Sequence, residues 1–314
     1  MSSVFVFPGQ GSQSVGMLAG FATEPVVRQT FDEASGALGY DLWRLSQEGP
    51  EDRLNATEFT QPVMLTAGVA LWRLWRERDG SAPTRVAGHS LGEFTALVAA
   101  SALTLPAAAQ LVRTRGRLMQ AAVPEGQGAM AAILGLTDAE VEAACREAAQ
   151  GAVVEAVNFN APGQVVIAGM RAAVERAITA ARARGAKRAV ALPVSVPAHS
   201  SLLQAAAGEF GAHLGHIALS TPQIRYVSAV DAREHAEPQE LRELLTRQLA
   251  SPVRWQDAVR VLVPGAAQII ECGPGKVLCG MNRRIDKRPD LACLTLEDPA
   301  SFEGALAATR ARAA

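Results

Sequence analysis

The chain has few aromatic residues, and it carries no excess charge of either sign. Only 5% of its 314 residues are aromatic, and 30 basic residues nearly balance 31 acidic ones, which gives a formal net charge of -1 at pH 7. This balance provides no global attraction to nucleic acid or to an anionic membrane surface. Hydrophobic residues nevertheless make up 49% of the sequence. Such a composition is typical of a globular protein with a substantial core.

Cysteine is scarce, and long hydrophobic runs are absent. The four cysteines show neither C-x-x-C spacing nor a neighbouring histidine cluster: Cys145, Cys272, Cys279 and Cys293. We interpret them as small buried apolar residues in a reducing compartment, not as a zinc site or a disulfide framework. No stretch approaches a membrane span, and the first apolar run ends at Pro8 with no basic residue before it. We therefore expect a cytoplasmic protein whose first segment is a buried strand.

What the chain does contain is a G-x-S-x-G motif, Gly88-His89-Ser90-Leu91-Gly92, between a short strand-like segment and a helix-forming run. In the order strand, turn, helix, this motif predicts a nucleophile elbow, in which a strained turn projects the serine hydroxyl. The helix dipole behind the turn favours developing negative charge. We predict that Ser90 is a nucleophile. The alternative is an ordinary glycine turn before a helix.

A general base for Ser90 is expected among five histidines. Three lie in polar segments and are interpreted as surface residues: His213, His216 and His235. His89 lies inside the elbow, so its side chain points away from the serine hydroxyl. His199 follows Pro193 and Pro197, which stiffen the chain around it, and we predict that it is the base. None of the intervening acids (Glu140, Glu155 and Glu175) stands out as a third member, so a carbonyl is the alternative partner of the ring.

An arginine lies on the apolar face of the helix predicted over 105–122. Counting about 100° per residue from Leu111 places Arg115 at about 40°, within the apolar stripe, whereas Arg113 and Arg117 lie near the opposite face. A buried arginine needs an anionic partner, because an uncompensated charge in a core is costly. Two partners are possible: an internal acidic side chain, or a substrate carboxylate gripped in two places by the planar guanidinium.

Helix and strand signals alternate over the first 125 residues, with strands at 4–7 and 86–88 and helices at 24–38, 42–48, 61–78 and 105–122. This alternation predicts an α/β core with a parallel sheet. The pattern then changes to β-α-β-β-α-β, at 129–134, 138–149, 153–158, 164–168, 171–184 and 188–193, which is the ferredoxin-like order. We predict an α/β-hydrolase-like domain over 1–125 and 194–314, resuming near Ser195. The ferredoxin-like domain is inserted at 126–193, with a ligand cleft between the two.

Several motifs in sequence order together resemble one family. They are Phe7-Pro8-Gly9-Gln10-Gly11-Ser12-Gln13, Thr60-Gln61-Pro62, the elbow with Glu93, Arg115-Gly116, Asn158-Phe159-Asn160 and Gly273-Pro274-Gly275. From residue 4 to about residue 285 the chain is similar to the malonyl-CoA:acyl-carrier-protein transacylases of bacterial type II fatty-acid synthesis. The resemblance implies transfer of a malonyl group from malonyl-CoA to the phosphopantetheine thiol of acyl carrier protein, by a ping-pong reaction through a malonyl-serine.

The resemblance also implies roles for individual residues. Ser90 would be acylated, with His199 acting as base and then as acid, and the main-chain carbonyl of Gln248 would orient His199. The backbone N–H groups of Gln10 and Leu91 would form the oxyanion hole.

For the substrate, the resemblance implies that Arg115 binds the malonate carboxylate and that Gln61 and Asn160 line the pocket. No metal or redox cofactor is implied, and neither nucleic acid nor a membrane is an expected partner. We expect a monomer. The implied carrier is strongly acidic, which requires a local basic face, and two clusters of basic residues are candidates: Arg182, Arg184, Lys187 and Arg188, and Arg283, Arg284, Lys287 and Arg288.

Three other functions remain open at this point. An esterase would share the elbow and the base but would not need Arg115. An acyltransferase of polyketide assembly, or an accessory transferase of malonate decarboxylase, would share the whole site. A catalytically inactive carrier-docking module would have no reason to keep Ser90, His199 and Arg115 together. The preference between malonyl and methylmalonyl groups is also left open by the sequence.

Overall fold

The structure is a computed structural model that describes residues 2–194 and 196–313. Ser195, near which the larger domain is predicted to resume, lies outside the described residues. The strands are β1 Ser2–Phe7, β2 Arg85–Gly88, β3 Gly128–Leu134, β4 Val154–Ala161, β5 Gln164–Met170, β6 Arg188–Ala191, β7 Arg225–Ser228, β8 Arg233–His235, β9 Ala266–Glu271 and β10 Ala292–Thr295.

The helices are α1 Pro25–Leu38, α2 Leu42–Glu48, α3 Glu51–Asn55, α4 Thr57–Glu77, α5 Gly92–Ala99, α6 Leu105–Ala121, α7 Asp138–Ala149, α8 Arg171–Ala183, α9 Gln204–Gly215, α10 Pro238–Arg247, α11 Trp255–Leu262, α12 Val277–Ile285 and α13 Pro299–Ala313. No helix of the described residues is long and apolar enough to span a bilayer.

Two compact units divide the chain. The first comprises the described residues of 1–116, 217–241 and 258–314, and the second comprises those of 117–216 and 242–257. The second unit contains the whole of the segment 126–193. That this segment is an inserted domain with those boundaries stays a prediction.

The first unit is built on a six-stranded sheet in the order β10-β9-β1-β2-β7-β8. All its strand pairs are parallel except β7 with β8. Strand β1 lies inside the sheet, and Val4, Phe5, Val6 and Phe7 are all fully buried. An uninterrupted apolar run is what a strand covered on both faces requires. The mixed α/β architecture with a largely parallel sheet is therefore as predicted.

Helix α4 starts earlier than the sequence predicts. The prediction placed the helix at 61–78, but α4 begins at Thr57 and Pro62 lies inside it. Proline there lacks the N–H that would bond to the carbonyl of Glu58 and costs helix stability. Burial outweighs that cost, because 16 residues of α4 are buried.

The second unit contains a four-stranded antiparallel sheet in the order β4-β5-β3-β6. Helices α7 and α8 contribute to one apolar cluster with residues of this sheet, and Met130, Val157, Val166 and Ala168 form a separate cluster. Strand β4 extends to Ala161, beyond the predicted end at residue 158. Its pairing with β5 has two register shifts, and these interrupt the alternation of buried and exposed residues. Because that alternation is the sequence signal for a strand, its interruption concealed where β4 ends.

A buried carboxylate joins β9 to α12 in the first unit. Glu271 is fully buried, and its carboxylate accepts hydrogen bonds from the Leu278 N–H at 3.0 Å and the Cys279 N–H at 2.7 Å. These are unsatisfied donors of the first turn of α12, so the carboxylate serves as its cap. Burial raises the pKa of Glu271 to about 7, and Glu297 adds to that shift, although the two N–H donors oppose it.

This pKa predicts a pH-dependent stability. The folded chain holds a proton on Glu271 up to about pH 7, whereas the ordinary value is 4.5. The free energy of unfolding should therefore fall by about 3 kcal/mol as the pH rises through this window, and level off above it. Urea unfolding at several pH values gives the free energy of unfolding of the wild type and of Glu271→Gln as a function of pH. The contribution of Glu271 is the difference between the two plots, and parallel plots would contradict this prediction.

Candidate active site

The G-x-S-x-G motif forms a strained turn between β2 and α5. Ser90 has a φ of 54°, in the left-handed region that few residues other than glycine adopt. A Cβ on Gly88 would lie 1.9 Å from the Gly92 carbonyl carbon, and a Cβ on Gly92 would lie 2.0 Å from the Phe7 carbonyl oxygen. Both positions therefore require glycine. The chain has the strand, turn and helix that the motif predicts, with Ser90 at the turn.

The glycine-rich loop after β1 contacts this elbow. A Cβ on Gly9 would lie 2.6 Å from the His89 carbonyl oxygen, so only glycine allows the loop to approach so closely. Gln10 is the next residue, and its side chain donates a hydrogen bond of 3.4 Å to Thr57 Oγ1. Leu91 directly follows Ser90 and is the N-cap residue of α5. Both expected oxyanion donors thus belong to segments that meet at the elbow.

Arg115 extends from α6 to the serine. It is only 1% exposed, as its position on the apolar face predicts. Nη2 donates to Ser90 Oγ at 3.1 Å, and Nη1 donates to Gln61 Oε1 at 2.9 Å. The guanidinium also lies 5.7 Å from the centre of the Phe94 ring. The guanidinium of Arg115 therefore links the buried Gln61 side chain to the partly exposed Ser90 hydroxyl.

Arg115 keeps its charge at neutral pH despite its burial. Desolvation lowers the pKa of its guanidinium to about 10, and the Glu93 carboxylate opposes that shift. Both hydrogen-bond acceptors described above are neutral oxygens, and a carboxylate would be a stronger acceptor for either donor.

Glu93 is the residue that the sequence reasoning missed. It is fully buried in the first turn of α5. Its Oε1 accepts hydrogen bonds from Ser228 Oγ at 3.0 Å and from the Ala229 N–H, at the end of β7. Glu93 therefore ties the elbow helix to the sheet and supplies an internal acidic neighbour for Arg115. The signal was an acidic residue inside an otherwise apolar helix, where a charge needs a reason.

His199 lies in the second unit and is held at two points. It is 3% exposed and has a φ of 66°. Its backbone N–H donates to the Leu249 carbonyl at 3.1 Å, and its Nδ1 lies 2.9 Å from the Gln248 carbonyl oxygen. A carbonyl can only accept, so Nδ1 carries the proton. Nε2 of the neutral ring is then the acceptor, which is the form a general base needs.

The partner of the imidazole is thus a main-chain carbonyl of the short 3₁₀ helix Gln248–Ala250. The acidic side chains considered from the sequence are engaged elsewhere or exposed. Glu140 closes a capping box with Thr137, Glu155 accepts from the Ser201 N–H and hydroxyl, and Glu175 is exposed. Asn160 is buried on β4 in the same unit as His199.

Three histidines were predicted to be surface residues, and they lie on α9, just after it and on β8: His213, His216 and His235. His213 and His216 are exposed, as expected. The expectation of a surface position is wrong for His235, which is only partly exposed. It lies 3.1 Å from carboxylate oxygens of Asp231 and of Glu240, and this pairing covers the ring.

The chain is similar to known proteins along nearly its whole length. A family model described as the acyl transferase domain matches residues 4–284. The malonyl CoA-acyl carrier protein transacylase of Salmonella typhimurium is 51% identical over 304 residues, or 96% of this chain and 98% of that protein. The Bacillus subtilis protein of the same name is 40% identical over 306 residues, or 96% of this chain and 95% of that protein.

Solved structures agree closely with this one. The acyl-carrier-protein S-malonyltransferase of Burkholderia pseudomallei superposes with a TM-score of 0.95 and is 52% identical, covering 98% of this chain and 100% of that one. A malonyl-transacylase solved in complex with its holo type II PKS acyl-carrier protein gives a TM-score of 0.96 at 50% identity, again covering 98% and 100% of the two chains.

Proposed function

The chain belongs to the acyl transferase domain family of malonyl-CoA:acyl-carrier-protein transacylases, and we propose that it transfers a malonyl group from malonyl-CoA to the phosphopantetheine thiol of an acyl carrier protein for fatty-acid synthesis. The observation that carries this proposal is the buried guanidinium of Arg115, which donates a hydrogen bond to Ser90 Oγ. In a malonyl ester of Ser90, only the carbonyl and methylene carbons separate Oγ from the carboxylate group. A cation at Oγ is therefore within reach of that carboxylate.

In the first half-reaction Ser90 attacks the thioester. His199 Nε2 takes the hydroxyl proton while Oγ bonds to the thioester carbonyl carbon. The oxyanion that forms accepts hydrogen bonds from the backbone N–H groups of Gln10 and Leu91, and each well-placed donor contributes about 3 kcal/mol. When the oxyanion collapses, the carbon–sulfur bond breaks and the CoA thiolate leaves with the proton from His199.

In the second half-reaction the carrier thiol attacks the malonyl-Ser90 ester. His199 accepts the thiol proton and returns it to Ser90 Oγ as the ester bond breaks. The carbonyl of Gln248 holds the ring in the same tautomer throughout. Arg115 fixes the acyl group in one pose, while Gln61 and Asn160 line the pocket, so the outcome depends on the positions of the reactants. Every catalytic group comes from the chain, and the proposed reaction needs no metal or redox cofactor.

We also propose the finer description of the fold. The elbow at the end of β2, followed by α5, supports an α/β-hydrolase-like domain over 1–125 and 194–314. The strand order β4-β5-β3-β6, with two helices in a β-α-β-β-α-β sequence, supports a ferredoxin-like domain at 126–193. Free thiols at all four cysteines support a cytoplasmic location, and we propose a monomer.

The proposal is tested by intact-mass measurement after mixing the protein separately with malonyl-CoA, acetyl-CoA and methylmalonyl-CoA. We expect a malonyl adduct that disappears when a holo acyl carrier protein is added and reappears on the carrier. Release of the acyl group to water in the presence of carrier would instead indicate an esterase, and no adduct would indicate an inactive docking module. Because a similar structure is a complex with a type II PKS carrier, polyketide supply is a second candidate. Relative rates with both carriers distinguish the two.

The carrier should be steered by exposed basic residues. All eight residues of the 182–188 and 283–288 clusters are exposed. We expect Lys187→Glu/Arg188→Glu, or Arg284→Glu/Lys287→Glu, to raise the KM for carrier by roughly tenfold at low salt and to flatten its salt dependence, because long-range attraction to an acidic partner is lost. Loading from malonyl-CoA should be nearly unchanged.

The matched control reverses two exposed arginines outside both clusters, Arg225→Glu/Arg233→Glu at β7 and β8. This variant carries the same change in net charge and should keep the carrier KM of the wild type. If the control and the cluster variants behave alike, or if no variant changes the carrier kinetics, the clusters do not steer the carrier.

A further inference from the structure

Away from the residues assigned to acyl transfer, a second group of reactive side chains lies where α12 packs on β9 and β10. Cys279 belongs to α12, Cys293 to β10 and Glu271 to β9. Cys279 is 2% exposed, and its Sγ lies 3.1 Å from the carbonyl oxygen of Leu294, the residue after Cys293. The same thiol is in hydrogen-bond contact with the Glu271 carboxylate and with Cys293 Sγ.

Cys293 differs from the other three cysteines. The prediction that all four are buried is wrong for this residue, which is partly exposed on the edge strand β10. Arg283 is exposed beside it, donates from Nη2 to the Cys293 carbonyl at 3.1 Å, and also forms a hydrogen bond to its sulfur. The neighbouring Cys279 thiol and then the Arg283 cation lower the pKa of Cys293, against the effect of burial.

The two thiols are therefore unequal. Cys279 is 2% exposed, whereas Cys293 is partly exposed beside the Arg283 guanidinium, so a negative charge is less costly on the outer sulfur than on the inner one. This arrangement combines an accessible thiolate beside a cation with a second thiol in contact with it. An accessible thiolate with a resolving cysteine next to it is the combination found in redox-sensitive sites.

We propose that Cys279 and Cys293 form an oxidisable dithiol that hydrogen peroxide converts to a disulfide between α12 and β10. The Cys293 thiolate attacks one peroxide oxygen, the O–O bond breaks, and Cys293 becomes a sulfenic acid. The other oxygen leaves as hydroxide, which takes up the proton lost when Cys293 ionised and becomes water. Cys279 Sγ then attacks the sulfenic sulfur, the S–O bond breaks, and the departing hydroxide takes the Cys279 proton and leaves as water. Two thiols are oxidised by two electrons, and the peroxide is reduced to two waters.

The other two cysteines have different surroundings. Cys145 lies in the apolar cluster of the second unit, and burial raises its pKa to about 12. Cys272 is fully buried, and its thiol donates to the Gly68 carbonyl at 3.5 Å. Burial also raises its pKa well above the ordinary value. A buried thiol that stays protonated reacts slowly with peroxide, so these two residues serve as internal controls.

The test treats the full-length wild type with hydrogen peroxide and follows its intact mass and thiols. The dose is one that oxidises free cysteine completely in the same time. We expect the loss of two hydrogen atoms, protection of Cys279 and Cys293 from alkylation, a peptide that links them, and full reversal by dithiothreitol. Cys145 and Cys272 should remain alkylatable after denaturation.

Variants distinguish the proposed pair from other oxidation. Cys145→Ala, the matched control, should still lose two hydrogen atoms. Cys279→Ser should instead stop at a Cys293 sulfenic acid that dimedone traps, and Cys293→Ser should show neither product. The proposal is overturned if the wild type keeps four free thiols, goes directly to a Cys293 sulfinic acid, or forms a disulfide only between two chains. None of these outcomes depends on malonyl transfer, so the test is independent of the proposed function.

Discussion

Replacing Ser90 by alanine is expected to abolish the malonyl adduct and to lower turnover by on the order of 10⁵-fold or more, because the reaction loses its nucleophile. The fold should be retained. Alanine tolerates the φ of 54° about as well as serine does, and the substitution removes only a hydroxyl from the turn. Intact mass after incubation with malonyl-CoA, together with the melting temperature, measures both effects.

A matched control for this variant exists on the same segment of chain. Ser101 also has a positive φ, of 60°, and lies just after α5. Ser101→Ala carries the same chemical change at a similarly strained position and should load malonate like the wild type. If Ser90→Ala still acquires a malonyl group, the nucleophile has been assigned to the wrong residue.

Truncating Arg115 is expected to change which acyl group the protein accepts. In Arg115→Ala the malonyl carboxylate would enter a buried pocket without its cation. The free-energy barrier to malonyl loading should therefore rise by roughly 2–5 kcal/mol. An acetyl group has no carboxylate to lose a partner, and its loading should survive or improve. The ratio of malonyl to acetyl loading, measured by intact mass over time, therefore separates this effect from general damage to the site.

The alternative role of Arg115 predicts a different pattern. If its purpose is to neutralise Glu93, truncation strands a buried carboxylate, lowers stability by about 3–5 kcal/mol, and affects both acyl groups alike. Arg115→Lys keeps the charge without the fork and should restore only part of the malonyl loading. Arg117→Ala, exposed on the same helix, is the control and should change neither measurement. A lowered melting temperature with an unchanged ratio would contradict carboxylate binding.

Local features of the site were predictable because they depend on sequence periodicity and on glycine. The elbow requires two glycines at fixed spacing, and the burial of Arg115 follows from its angle on an amphipathic helix. Strand β1 was also predictable, since a short apolar run before a proline leaves few alternatives. These inferences involve residues within one or two turns of each other.

Features that depend on contacts between distant segments of the chain were harder to predict from the sequence. The carbonyl of Gln248 is main chain, so its identity carries no side-chain signal, and its expected role came from the family resemblance alone. The bonds of Glu93 to Ser228 and Ala229 join segments more than a hundred residues apart. Likewise, nothing in the spacing of Cys279 and Cys293 indicates that a helix and an edge strand bring their sulfurs together.

The strand order of the larger sheet also determines when that sheet is completed during synthesis. Strand β1 is translated before both of its neighbours in the sheet, β2 and β9, and β9 comes from residues 266–271. Until β9 leaves the ribosome, one edge of a strand with four consecutive apolar residues has no native partner, and such an edge promotes aggregation. The sheet of β3 to β6 comes from one continuous segment and can close much earlier. Release of a chain that stops before β9 would leave this edge bare for good.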